Sequence, residues 1–115
     1  MTAFASAESL YGKTLRWSFR DGPTKGLTFE HIFSGDGGVT WRSTGPGAKD
    51  HHESASAAVK VSEDVHVVSY LSAESGYTIT AVLNRKTGTV TAFASNGKDW
   101  VQQSGTFEVL GAGRA

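Results

Sequence analysis

His31 stands where an apolar side chain would be expected. In the run Leu27-Thr28-Phe29-Glu30-His31-Ile32-Phe33, residues Leu27, Phe29, His31 and Phe33 share one face of an extended chain, and the imidazole interrupts it. An imidazole among apolar groups can orient a ligand or exchange a proton near neutral pH. It reads equally as a core histidine hydrogen-bonded to a neighbour. Tyr70 and Ser72 lie two residues apart and share a face with His66. If that face is the inner one, their hydroxyls can bind a ligand carbonyl or carboxylate. Glu74 follows in the turn Ala73-Glu74-Ser75-Gly76. Folded back toward an opening it would be a second proton carrier; otherwise it is a solvated acid. His31 and Glu74 are therefore the catalytic candidates. His51-His52-Glu53 offers metal-ligand residue types. Adjacent residues of an extended chain point to opposite sides, so a metal would need one of these histidines plus a distant His31 or Glu74. The expectation is no metal and no cofactor.

The elements that must position these groups are short and even. Eight β-like runs, most of them seven or eight residues long, follow one another from Thr14 to Val109, most of them closed by glycine, asparagine or aspartate turns. They cover residues 14–20, 27–34, 39–43, 54–61, 65–72, 77–84, 89–95 and 99–109. In the first, Leu15, Trp17 and Phe19 alternate with Thr14, Arg16, Ser18 and Arg20, the period-2 mark of a half-buried strand. In the fifth, both faces are partly apolar, so either can be the inner one. Asn96-Gly97 is the best short hairpin signal in the chain. Residues 44–52 form the longest irregular stretch and read as a rim or lid. Residues 1–12 have room for one short helical turn, with Leu10 and Tyr11 packing under the barrel. Residues 111–115 read as a flexible tail, and Gly105 as an interruption of the last strand.

Eight even strands in one small chain predict an all-β, antiparallel up-and-down barrel whose interior can hold one small molecule. With 115 residues the chain is a single domain, its core about residues 12–110. Eleven basic and eleven acidic side chains balance, and no basic stripe is visible. That points away from nucleic acid and from acidic membrane surfaces as partners. The absence of cysteine excludes disulfides and thiolate chemistry. No run approaches the roughly 20 apolar residues of a membrane-spanning helix, and Met1 to Ser9 lacks the regions of a signal peptide, so a cytoplasmic protein is expected.

Alternation assigns an inner face. If Trp17 and Phe19 point inward, Phe29, His31 and Trp41 join them as an aromatic wall, and Ala92 and Ala94 face it from the far side. Large rings opposite alanines either lean across to fill the space or leave room for a flat apolar ligand. The predicted ligand-binding set is therefore Trp17, Phe19, Phe29, His31, Trp41, Tyr70, Ser72, Ala92 and Ala94. Arg42, next to Trp41, should point outward.

The segments Trp17-Ser18-Phe19-Arg20-Asp21-Gly22, Phe29-Glu30, Thr40-Trp41-Arg42, Val68-Ser69-Tyr70, Gly76-Tyr77-Thr78-Ile79 and Trp100-Val101 carry a resemblance. Over roughly Gly12 to Val101 the chain resembles the calycin (lipocalin-like) barrels of phenolic acid decarboxylases. It is more similar still to the domain named after molybdenum-cofactor-biosynthesis protein F, MoaF. The resemblance implies a barrel with a ligand-sized interior and, by analogy, two copies paired through an outer sheet face. The decarboxylases grip a carboxylate with two tyrosines on the first strand, where this chain has Trp17 and Phe19. Their glutamate falls at Ser72, with Glu74 shifted by two, and their arginine has only His51 or His52 nearby. The expectation is a binding barrel for an apolar or aromatic ligand. The alternatives are a cofactor-free lyase, decarboxylase or isomerase acting on a small aromatic or enol-like acid, and a structural barrel with a filled core.

Overall fold

A computed structural model describes residues 10–112. Among the described residues nine strands form one antiparallel sheet: β1 (Lys13–Phe19), β2 (Thr28–Phe33), β3 (Val39–Ser43), β4 (His51–Glu53), β5 (Ser56–Lys60), β6 (Val65–Ser72), β7 (Tyr77–Asn84), β8 (Thr89–Ser95) and β9 (Trp100–Ala112). Their order is β4-β3-β2-β1-β9-β8-β7-β6-β5. Every neighbour is also a neighbour in sequence except β1 and β9, which zip the first strand to the last. The result is the expected up-and-down barrel, nearly closed. No helix among the described residues is long and apolar enough to cross a membrane.

Four details differ from expectation. The count is nine rather than eight, because His51–Glu53 forms a short strand at the end of the stretch read as irregular. Leu10 and Tyr11 lead into β1 through a turn, and residues 1–9 lie outside the described residues. β9 runs on to Ala112, past the predicted end at Val109, and residues 113–115 lie outside the described residues. Gly105 does not interrupt β9. It pairs with Phe19, and a Cβ built there would lie 1.9 Å from the Ser18 carbonyl oxygen. Glycine at this position lets β1 and β9 approach closely enough to join the two ends of the meander.

The seam between β4 and β5 closes without a regular ladder. Ser56 Oγ of β5 donates across it to the Gly37 carbonyl of the β2–β3 turn at 2.8 Å, while the Leu71 N–H, donating to the Ala55 carbonyl at 3.0 Å, only extends the β5–β6 ladder. At the Asn96-Gly97 turn only the glycine has positive φ. Asn96 acts through its side chain, its Oδ1 accepting from the N–H of Lys98 (3.0 Å) and of Asp99 (2.8 Å).

Burial divides the barrel lengthwise. Leu10, Leu15, Phe33, Val39, Leu83 and Val90 are each at most 1% exposed and fill the lower end, near the β2–β3 and β7–β8 turns. Aliphatic and aromatic side chains dominate this end, with His66 buried opposite Leu83. The upper end holds the β1–β2 loop, the β3–β4 loop and the β6–β7 turn, and its inward residues are larger rings facing smaller side chains. On β6 the face left open by the sequence is settled: His66, Val68, Tyr70 and Ser72 are buried, whereas Val65, Val67 and Ser69 are half-buried and Leu71 is exposed.

Candidate functional site: a cavity in the upper barrel

The upper half encloses a cavity of about 440 Å³. That lies within the range of ~300–1,000 Å³ typical of small-molecule sites. One wall is a ladder of rings across four strands. Register places His31 opposite Trp41 and Trp41 opposite His51. Trp17 stacks on His31 with centroids 4.0 Å apart and planes at 22°. His31 and Trp41 lie 6.3 Å apart at 20°, and Trp41 and His51 4.3 Å apart at 16°. Phe29 adds tilted contacts to Phe19 and Trp41 at 6.2 and 6.3 Å. Across the space stand Ile79, Ala92, Ala94 and Val101. The small side chains do not bridge the gap, and the rings are braced against one another rather than leaning over.

The deepest polar group is a pair. His31 Nε2 lies 2.9 Å from Tyr70 Oη, joining β2 to β6 across the barrel. His31 is 2% exposed. Desolvation pushes its pKa down from 6.5 to about 3, so the imidazole is neutral at pH 7. Burial, with the Glu53 carboxylate adding to it, raises the Tyr70 phenol above its ordinary value, so that group is neutral too. The other imidazole nitrogen, His31 Nδ1, has no hydrogen-bond partner among the described residues.

Behind this pair sits Glu53, 7% exposed, which alternation in β4 places on the same side as His51. Its Oε2 accepts from Trp41 Nε1 and its Oε1 from the Ala73 N–H, both at 3.1 Å. One carboxylate thus fixes the Trp41 ring and ties β4 to the β6–β7 turn across the seam.

The mouth is built by two segments. The β1–β2 loop bends over the opening with Pro23 and Thr24 lining the cavity. Gln103 of β9 holds it down: its Oε1 accepts from both the N–H and the hydroxyl of Thr24. Gly22, at φ +79°, passes so close that a Cβ would meet Gln103 Cγ at 2.7 Å. Asp21 accepts from the N–H and hydroxyl of Ser104 at 2.8 and 2.9 Å, and these bonds hold its carboxyl below the usual range. On the other side stand Ser72, Glu74, Ser75 and Tyr77. Glu74 Oε1 lies 3.6 Å from His51 Nδ1, with the Glu74 side chain largely in solvent.

All nine residues of the predicted binding set line this cavity, and so does Glu74. The two acid/base candidates are not joined: His31 pairs with Tyr70 at depth, and Glu74 with His51 at the rim. His51 and His52 diverge as the strand geometry requires, His51 onto Trp41 and His52 to Thr40 Oγ1 at 3.2 Å. Arg42 turns outward and lies 3.7 Å from Asp50. Sequence reasoning saw Glu53 only as part of a metal-ligand trio, not as a brace for Trp41, and missed Gln103. The second had a signal, since Val101, Gln103, Gly105 and Phe107 share a face in which Gln103 is the polar exception, as His31 is on β2.

The family model for the MoaF N-terminal domain matches residues 2–99. The chain belongs to that family. The match ends one residue before β9, so Gln103 and Gly105 lie beyond it. No curated protein matches the sequence. Among solved structures, the chain is similar to the crystal structure of a putative beta-lactamase from Burkholderia vietnamiensis. That likeness has a TM-score of 0.68 at 19% identity and covers 88% of this chain and 95% of the other. At that identity it speaks for the barrel architecture alone.

Proposed function

We propose that this MoaF-family barrel is a small-molecule-binding protein that holds an apolar or aromatic ligand in its upper half. The observation that carries the reading is the cavity of about 440 Å³, walled by stacked rings and ending in the His31–Tyr70 pair. Stacking of a flat ligand on Trp17 or Trp41 adds ~0.5–1.5 kcal/mol per ring pair beyond area burial. Polar orientation comes from the deep pair. We assign the His31 proton to Nε2, whose N–H then donates a hydrogen bond to Tyr70 Oη, because the other tautomer would strand an N–H at Nδ1. Nδ1 is then a bare lone pair rather than a stranded N–H, and the Tyr70 hydroxyl hydrogen is left to donate into the cavity.

Ligand binding to the folded state raises its stability, by ~2.7 kcal/mol at a free concentration 100 times Kd. 2-Ethylnaphthalene should therefore raise the melting temperature of the wild-type protein. Ala92→Phe, which fills the cavity from β8, should remain folded and lose that rise. No rise in the wild type, or an equal rise in both, refutes the reading.

The imidazole–phenol pair also favours a second reading, a cofactor-free lyase or isomerase. It ranks below binding because an imidazole with a pKa of about 3 is a weak base at neutral pH. Turnover of an enol-like acid that His31→Ala abolishes would reverse the ranking.

A further inference from the structure

Resting on that reading, we infer that the cavity selects uncharged aromatic ligands carrying one oxygen acceptor, such as an aryl ketone or amide, and rejects the matching carboxylates. The argument is one of charge around the cavity. Among the described residues that line it, none is lysine or arginine, and the single ionisable acid is Glu74 at the rim. The donors within reach of a ligand are neutral. Tyr70 offers a hydroxyl backed by an uncharged imidazole. Gln103 has its amide oxygen engaged by Thr24, so its free donors are the amide N–H groups. The charge behind Tyr70 is the Glu53 carboxylate, whose field already disfavours a phenolate there. It disfavours any second anion for the same reason.

A carboxylate entering this space loses its hydration and finds no cation to replace it, and an anionic residue lies both behind and above it. A ketone or amide oxygen needs one donor and brings no net charge, so the Tyr70 hydroxyl satisfies it. The ring wall adds one more neutral donor, since Trp17 Nε1 is buried without a hydrogen-bond partner among the described residues, and Phe19 beside it is apolar.

The test compares three probes of one shape: 2-acetylnaphthalene, 2-naphthoate and 2-ethylnaphthalene, measured by equilibrium dialysis against the full chain at pH 7.5. The ketone should bind tightest, at least about tenfold above the carboxylate, a difference of ~1.4 kcal/mol. In Tyr70→Phe the advantage of the ketone over the hydrocarbon should disappear, whatever change in affinity the two probes share. Carboxylate binding equal to or tighter than the ketone, with the hydrocarbon still bound, overturns the selectivity and leaves the binding reading standing. A ketone advantage that survives in Tyr70→Phe overturns the selectivity in the same way. Failure of all three probes to bind removes the binding reading and this inference together.

Discussion

His31 should make the barrel acid-sensitive well above the range where carboxylates titrate. Its pKa is 6.5 in an unfolded chain and about 3 in the fold. Between those values the unfolded chain binds a proton that the folded one refuses, so stability rises with pH through the window and is lost as pH falls from 6.5 toward 3. At pH 5 the cost is RT ln[(1 + 10^1.5)/(1 + 10^−2)], or ~2 kcal/mol, against nearly nothing at pH 7.5. For a domain of this size ~1 kcal/mol corresponds to roughly 4–8 °C in Tm. Other groups titrate as well, so the useful quantity is a double difference. His31→Phe keeps a ring against Trp17 and removes the titration. It also removes the bond to Tyr70, a pH-independent loss over this range that cancels. Tm would be followed by circular dichroism at pH 7.5 and pH 5 for both proteins. The wild type should lose about 8–16 °C more than His31→Phe on acidification. Equal losses would show that His31 is not buried as a neutral base, and the uncharged character assigned to the cavity floor would go with it.

Two further substitutions probe the scaffold. Gly105→Ala should destabilise by at least ~3 kcal/mol, because its Cβ would meet the Ser18 carbonyl at 1.9 Å and the clash is with backbone; a near-native urea midpoint would contradict the β1–β9 pairing described above. Glu53→Gln should cost ~1.5–3 kcal/mol, since the amide can accept from only one of the Trp41 and Ala73 N–H groups and turns a donor toward the other. An unchanged urea midpoint would show that this carboxylate does not brace the seam.

The inner face of the barrel was legible because a strand repeats every two residues and the repeat holds through each run. Trp17, Phe29, His31 and Trp41 follow from that period alone, as do Ala92 and Ala94. β6 could not be assigned this way, because Val65, Val67 and Leu71 are as apolar as the residues that are buried. Its inner face is decided by what lies across the barrel: Tyr70 has a partner in His31, 39 residues away, and no local pattern encodes that bond. β4 was hidden for a different reason. Three residues are too few to show alternation, and this strand is held by pairing to β3 and by Glu53 reaching the β6–β7 turn. Gly105 carried a signal that was read the wrong way, since an isolated glycine in a strand marks either a break or a close approach. Only the neighbouring strand distinguishes the two.

The same contrast explains why the cavity sits at one end. Around Phe33 and Leu83 the inward positions are mostly aliphatic or benzyl side chains, with the buried imidazole of His66 opposite Leu83 as the polar exception. Above them, Trp41 is tied to Glu53, His31 to Tyr70 and Gln103 to Thr24, and Trp17 is held by stacking on His31. A ring held by its own hydrogen bond, or stacked face to face with the next ring, is not free to swing into empty volume. The bonds that satisfy these buried groups therefore also keep the upper barrel open. It follows that breaking one of them should shrink the cavity as well as loosen the fold, a coupling that a barrel propped open by backbone geometry alone would not have.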